Sequence, residues 1–129
     1  MKRFFSIHVN LSTVEGMNRQ PLMKLAIQYF TRRGYTIDKN PNRSDMPSTK
    51  RCDLIVRRGS EVYPVWIKDW NRTIGVNVVI NIDKVAQSAG FTSPILIAEK
   101  FSEHAKAYAS RRGIRLLART DILKGIKAF

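Results

Sequence analysis

Residues 52–70 read CDLIVRRGSEVYPVWIKDW, and this stretch gives the clearest indication of the fold. Two runs within it, Cys52 to Arg57 and Val62 to Trp70, are rich in β-branched and aromatic residues, which are typical of strands. Between them Gly59-Ser60 supplies turn residues. The stretch therefore predicts a β-hairpin.

The hairpin's turn also sets its register. If the turn has two residues, Arg58 pairs with Glu61 and the numbers of all paired residues sum to 119. Asp53 then lies opposite Trp66, and Lys68 lies on the same face because strand side chains alternate. A carboxylate beside a lysine on the partner strand can hold Mg²⁺ and present a cation to a reacting phosphate. Asp53 and Lys68 are therefore the candidate catalytic residues, with Asp53 as the candidate metal ligand.

Hydrophobic periodicity, caps and turn residues predict the other elements on both sides of the hairpin. They are a helix over about 20–33, a strand at 35–39, a loop at 40–50, a helix through 78–89, a strand at 94–98, a helix from Ser102 to Gly113, a strand at 114–117 and a helix from Thr120. The order α-β-β-β-α-β-α-β-α predicts an α/β protein with a mixed sheet flanked by helices. We expect one domain over 1–129, with a core at about 20–127 and an N-terminal extension at 1–19.

The elements around the hairpin resemble a known family. The leading helix with Gly34-Tyr35, followed by Asp53-Leu54-Ile55-Val56 and Val65-Trp66-Ile67-Lys68, resembles the PD-(D/E)xK nuclease core. The later run from Ser93 to Leu117 is similar to the Mrr-like restriction endonuclease domain. The resemblance implies a restriction-endonuclease-like fold, with Asp53 as the metal-binding aspartate and Lys68 as the catalytic lysine.

One motif position departs from this family. Trp66 stands where the family has Glu, Asp or Gln, and an indole has no oxygen that could ligate Mg²⁺. Some members of the superfamily supply the acid from the helix after the lysine strand, and Asp83 is the candidate for that role. The alternative is that Asp83 belongs to a solvated helix face and pairs with Lys84 or an arginine. We expect no cofactor, or Mg²⁺ if the chain is an enzyme.

The chain is strongly basic. Its 23 Lys and Arg residues against 10 Asp and Glu give a formal charge of +13, which favours a polyanionic partner. No segment approaches the ~20 apolar residues of a membrane-spanning helix, and no basic amphipathic helix with a broad aromatic face stands out. The expected partner is DNA, with RNA as the alternative and no membrane. The resemblance also allows a homodimer.

Candidate nucleic-acid contacts are the basic residues near loops and element ends, together with one tryptophan that could stack on an unpaired base. They are Arg32, Arg33, Arg43, Lys50, Arg51, Arg57, Arg58, Lys68, Trp70 and Arg72. Core packing is the alternative for Trp70, and a solvated surface is the alternative for each basic pair. We expect contacts to phosphates with little sequence preference.

The lone cysteine, Cys52, has no disulfide partner and lacks the companions of a zinc site. A buried structural thiol is expected there, in a cytoplasmic protein.

Beside a protein-interaction subunit of a larger DNA-processing complex, two functions remain open from the sequence. One is a nucleic-acid-binding protein on a nuclease fold with a degraded metal site. The other is an active Mg²⁺-dependent endonuclease, such as a Holliday-junction resolvase, using Asp53, Lys68 and Asp83.

Overall fold

The fold is a five-stranded mixed sheet covered by two helices on each face. A computed structural model describes residues 20–39 and 52–127. Its elements are α1 (Leu22–Arg32), β1 (Thr36–Asp38), β2 (Leu54–Arg58), β3 (Glu61–Ile74), α2 (Val76–Ser88), β4 (Ile95–Phe101), α3 (Glu103–Arg112), β5 (Arg115–Ala118) and α4 (Arg119–Lys127). This order and the mixed sheet confirm the fold class predicted from the sequence.

The strands lie in the order β1-β2-β3-β4-β5. The first three form an antiparallel meander, whereas β4 and β5 run parallel to β3 and are reached through α2 and α3. The pairs run from Leu54 with Val65 to Arg58 with Glu61, so the predicted hairpin register is confirmed. β3 is the central strand and the longest described one, and it extends to Ile74, beyond the predicted end near Trp70.

Two apolar layers hold the sheet between its helices. On one face α1 and α4 pack over alternate strand residues, which include Leu54, Val56, Val65, Ile95 and Ile97. On the other face α2 and α3 pack over the intervening residues, which include Ile55, Trp66, Leu96 and Ala98. β4 is buried on both faces from Ile95 to Ala98, as its continuous apolar run indicates.

The helix ends follow both local and distant signals. Ser102 Oγ accepts a hydrogen bond from Ala105 N at 3.1 Å, and Gly113 ends α3 with φ of 73°, as predicted. The final helix begins at Arg119 rather than at a Thr120 cap, and Asp121 accepts a hydrogen bond from Ala118 N at 2.8 Å instead. Among the described residues, no helix is long and apolar enough to span a membrane.

A polar cluster joins α2 to α3. Asp83 on α2 is 6% exposed and accepts hydrogen bonds from Tyr108 Oη at 2.8 Å, Arg112 Nε at 2.9 Å and Gln87 Nε2 at 3.1 Å. Burial alone would raise the pKa of Asp83, but the hydrogen bonds from Tyr108 and Arg112 and the positive charge of Arg112 outweigh it, so the pKa lies below its ordinary value.

The close contact between α1 and α4 at Gly125 predicts that an added methyl group lowers the stability of the protein. A Cβ at Gly125 would press on Cε1 of Tyr29 and lie 2.7 Å from its Cδ1 and 2.9 Å from Arg33 Nη2. The Tyr29 ring cannot move away easily, because it packs edge-on against Phe30 and under Arg33. We expect Gly125→Ala to lower the free energy of unfolding by about 1–3 kcal/mol in urea titrations.

Gly75→Ala is the matched control for this substitution. A Cβ at Gly75 meets no heavy atom within 4 Å, and its φ of −91° suits any residue. As this glycine caps α2, the control should cost less than about 1 kcal/mol. Equal stability of Gly125→Ala and the wild-type protein would contradict the described packing.

The lowered pKa of Asp83 predicts a dependence of stability on pH. A group whose pKa is lowered on folding stabilises the protein above its unfolded-state pKa, and this contribution is lost as the pH falls through the folded-state pKa. We expect Asp83→Asn to be less stable than the wild-type protein at pH 7, by about 1–3 kcal/mol, because its hydrogen bonds lose their charged acceptor. The difference should shrink as the pH falls below about 4.

Double-mutant cycles with Arg112→Gln, followed by denaturant unfolding at pH 7 and pH 3, give the control for this prediction. The coupling energy between the two positions should be present at pH 7 and smaller at pH 3. A coupling energy that grows as the pH falls would contradict the assignment.

Candidate nucleic-acid interface

Asp53 lies at the start of β2, where the hairpin ladder ends. The last pair is Leu54 with Val65, so the predicted pair of Asp53 with Trp66 lies one step beyond the ladder. Instead, Asp53 N donates to Val65 O at 2.8 Å, and its Oδ2 accepts a hydrogen bond from Ile67 N at 2.7 Å. The carboxylate therefore takes the place of a backbone carbonyl at the end of the ladder.

Trp66 lies inside the core. Its side chain is 4% exposed and belongs to the apolar layer between the sheet and helices α2 and α3. The indole meets the ring of Phe91 edge-on, with 6.4 Å between the ring centroids. Trp66, which the sequence analysis places at the motif position of the family's second acid, is therefore a packing residue.

Lys68, Trp70 and Arg72 form a group on the exposed part of β3, which we call the Trp70 cluster. Lys68 Nζ lies 5.3 Å and Arg72 Cζ lies 4.6 Å from the centroid of the Trp70 ring. Trp70 is 40% exposed, so core packing does not explain it. Both cations are within the distance at which an aromatic ring attracts positive charge, so the ring holds two cationic side chains beside each other.

The backbone that carries this cluster departs from regular pairing. Lys68 pairs with Ala98, but the next pair to β4 is Thr73 with Lys100, so five steps along β3 match two along β4. The residues between Lys68 and Thr73 therefore bulge out of the ladder. Through this bulge the central strand of the sheet reaches solvent.

The side chain of Arg119 fixes the position of the bulge through contacts to β3, to β4 and to the residues before α1. Its side chain is 13% exposed, and its Nε donates to Glu99 Oε1 at 2.9 Å, while its Nη2 lies 3.6 Å from Asp69 Oδ1. Its Nη1 donates to the carbonyl of Gln20 at 2.7 Å. Asp69 Oδ2 in turn accepts the N–H of Leu22, the first residue of α1. The sequence gives no local signal for this network, because its members lie far apart along the chain.

The other described arginines of the predicted set lie near the hairpin turn, at the opposite end of β3. Arg58 donates to the carbonyl of Arg33 at 3.0 Å and stacks over Tyr35, and Arg33 stacks over Tyr29. Arg32 donates to the carbonyl of Ile126 at 3.0 Å. Lys68 lies seven residue steps along β3 from Glu61, which begins the strand at the turn, and this corresponds to about 23 Å. The predicted contacts thus form two groups.

Several predicted residues are not brought to these groups. Arg57 is exposed on β2 near the turn, and Arg43, Lys50 and Arg51 lie outside the described residues. Asp83, the candidate migrated acid, lies in the contact between α2 and α3, where Tyr108, Arg112 and Gln87 occupy its oxygens.

Among the described residues, the oxygen donors that a magnesium ion needs do not come together near Lys68. One carboxylate oxygen of Asp53 is bonded to the backbone, Trp66 offers no oxygen, and Asp83 is engaged by α3. Within 20–39 and 52–127, no three His, Cys, Asp or Glu side chains form a group that could hold a metal ion. The described residues therefore do not fit the magnesium site that the family resemblance implies.

The thiol of Cys52 is buried beside this region. Its side chain is 2% exposed, and burial raises its pKa to about 11. The thiol is therefore protonated at neutral pH and is a poor nucleophile.

Comparisons with known proteins agree with the fold. The chain is similar to the crystal structure of the protein of unknown function AF1548, with a TM-score of 0.54 and 20% sequence identity, over 75% of this chain. It covers 65% of that chain, which is less than two thirds. No curated protein matches the sequence. The family model of the Mrr-type restriction endonuclease domain matches residues 14–126, which is nearly the whole chain. The chain therefore belongs to the restriction endonuclease family of the Mrr type.

Proposed function

We propose that this protein binds nucleic acid, with DNA as its partner, through phosphate contacts and without cutting it. The observation that carries the proposal is the pair of neighbouring features on β3: a buried indole at the motif position and an exposed cationic cluster two to six residues later. The first removes a metal ligand, and the second supplies cations for phosphates.

The charge of the molecule supports a polyanionic partner. A net charge of +13 on 129 residues produces a long-range field that attracts nucleic acid and raises association rates. Lys68 is the last paired residue before the bulge and Arg72 lies within it, so an extended phosphate backbone can reach both of them. Since neither side chain has a carboxylate within ion-pair distance among the described residues, both charges are available to a ligand.

Trp70 has a positioning role in this proposal. Its ring already attracts two cations, so it restricts the rotamers of Lys68 and Arg72 before DNA binds. Ordering these long side chains in advance reduces the entropy lost on binding. The sequence alone suggested a stacking role for Trp70, and the cation contacts favour this second role.

An active Mg²⁺-dependent endonuclease, of the kind that acts on duplex or junction DNA, is the second candidate. Membership of the restriction endonuclease family favours it. In the sequence resemblance, Asp53 and Lys68 match the family's metal-binding aspartate and catalytic lysine. It requires a further acid to complete the metal site, and Asp83 is committed to α3.

Binding and cleavage assays separate the two candidates. We expect the purified protein to bind duplex DNA and to leave supercoiled, linear and four-way-junction DNA intact in Mg²⁺ or Mn²⁺. Each of Lys68→Ala and Arg72→Ala should weaken binding and lower the slope of log affinity against log salt by about 1, because one phosphate contact is lost. Lys84→Ala, which removes an exposed lysine of α2, is the matched control and should leave the slope unchanged. Metal-dependent cleavage that disappears in Lys68→Ala would establish the enzyme instead.

Substitutions at Asp53 distinguish a structural carboxylate from a metal ligand. Asp53→Asn keeps an oxygen that can accept from Ile67 N, whereas Asp53→Ala leaves that N–H without its partner. We expect Asp53→Ala to lose about 1–3 kcal/mol of unfolding free energy and Asp53→Asn to lose less. DNA affinity should stay within a factor of about two for Asp53→Asn, since no phosphate contact changes. Equal stability of both variants, together with loss of a nuclease activity, would contradict this role.

A further inference from the structure

A cavity of about 610 Å³ is lined in part by residues of the β3 bulge. It is lined by polar residues from β3, β4 and the first turn of α4, namely Asn71, Arg72, Thr73, Glu99, Lys100 and Thr120. Thr73 and Lys100 face each other in the parallel ladder just after the bulge. The cavity therefore borders the segment in which β3 leaves the ladder and returns to it.

The charge of this cavity is positive. Its one lining carboxylate, Glu99, is paired with the partly buried Arg119 at 2.9 Å. Arg72 and Lys100 have no carboxylate within ion-pair distance among the described residues. Two cations thus face a cavity whose acid is already neutralised, and such a cavity favours an anionic ligand.

A second cavity continues the first. It has a volume of about 460 Å³ and shares Lys100 and Thr120 with the first. Its lining adds Lys106, which is paired with Glu103 at 3.3 Å, and the carboxylate of Asp121, which accepts a hydrogen bond from Ala118 N. On the other side, Arg72 belongs both to the first cavity and to the Trp70 cluster. Basic side chains therefore follow one path from Lys68 through Arg72 to Lys100, and the ion-paired Lys106 lies at its far end. Two connected cavities beside the Trp70 cluster suit a polymer better than a free mononucleotide.

We propose that this path, which we call the Lys100 groove, binds an unpaired segment of a nucleic-acid strand. The phosphates contact Arg72 and Lys100, and the bases enter the two cavities, where Asn71, Thr73 and Thr120 offer hydrogen bonds. Each cavity lies in the size range of sites that enclose a small ligand. A base in a duplex remains stacked and paired and cannot enter such a cavity unless it is flipped out.

This inference rests on the proposed function, because it names the form of nucleic acid that the same surface prefers. It also adds Lys100 and Thr120, which lie on β4 and α4 and are outside the Trp70 cluster. Loss of either residue should therefore affect single-stranded ligands more than duplex ligands.

Fluorescence anisotropy with two labelled DNA probes of equal length tests the groove. The probes are a 15-nucleotide oligothymidylate and a 15-base-pair duplex, and the proteins are the wild-type chain, Lys100→Ala, Thr120→Val and the control Lys84→Ala. We expect Lys100→Ala to weaken binding of the oligothymidylate about tenfold, the loss of one charge-assisted contact. The salt slope for this probe should fall by about 0.7, and duplex affinity should change less than about twofold.

Thr120→Val should weaken binding of the oligothymidylate without changing its salt slope, because it removes a hydroxyl and no charge. Circular dichroism establishes that each variant is folded. Equal losses for both probes in Lys100→Ala, or no loss for the oligothymidylate, would overturn the groove and leave the proposed binding function standing. If the wild-type protein binds neither probe, both proposals are wrong.

Discussion

Every other layer of the structure packs around the central strand β3, which has an apolar layer on each face. From Pro64 to Trp66 it is buried on both faces, with Val65 under α1 and α4 and Trp66 under α2 and α3. A side chain at position 66 is therefore in contact with an apolar layer. An indole adds a large apolar surface to that layer, whereas a carboxylate would need partners or a metal ion to be tolerated there.

Three residues after Trp66, the side chains of the same strand become exposed. Its ladder to β4 breaks after Lys68, and the bulge is held by the partly buried Arg119 through Asp69 and Glu99. Because Asp69 also accepts the N–H of the first residue of α1, the bulge, β4, α1 and α4 are tied into one polar network. The network fixes the backbone that presents Trp70 and its cations, and it opens the cavity behind them. Residues that pack in the core and residues that we propose to bind nucleic acid thus follow one another along β3.

The sequence predicted the parts of this protein that depend on neighbouring residues. The hairpin register followed from a two-residue turn at Gly59-Ser60, and the helix ends at Ser102 and Gly113 followed from their capping chemistry. The position of Asp53 was close to the prediction, but the ladder ends one residue earlier because its carboxylate replaces a backbone acceptor.

Contacts between distant parts of the chain could not be predicted in this way. The Arg119 network joins residues up to 99 positions apart, and nothing in the local pattern indicates that Asp69 caps α1. The bulge was missed for the same reason, since its residues have ordinary strand propensity and only the register with β4 reveals it. For Asp83, pairing with an arginine was anticipated, but its burial between α2 and α3 was not.

We propose that the indole of Trp66 and the backbone contact of Asp53 have closed the metal site that the family resemblance implies. A Mn²⁺ titration followed by electron paramagnetic resonance tests it directly, because free Mn²⁺ gives a strong signal that bound Mn²⁺ loses. With the DNA-free protein, the account predicts the same free Mn²⁺ signal for the wild-type chain and for Asp53→Ala at every metal concentration. Stoichiometric loss of that signal in the wild-type chain, restored by Asp53→Ala, would contradict it.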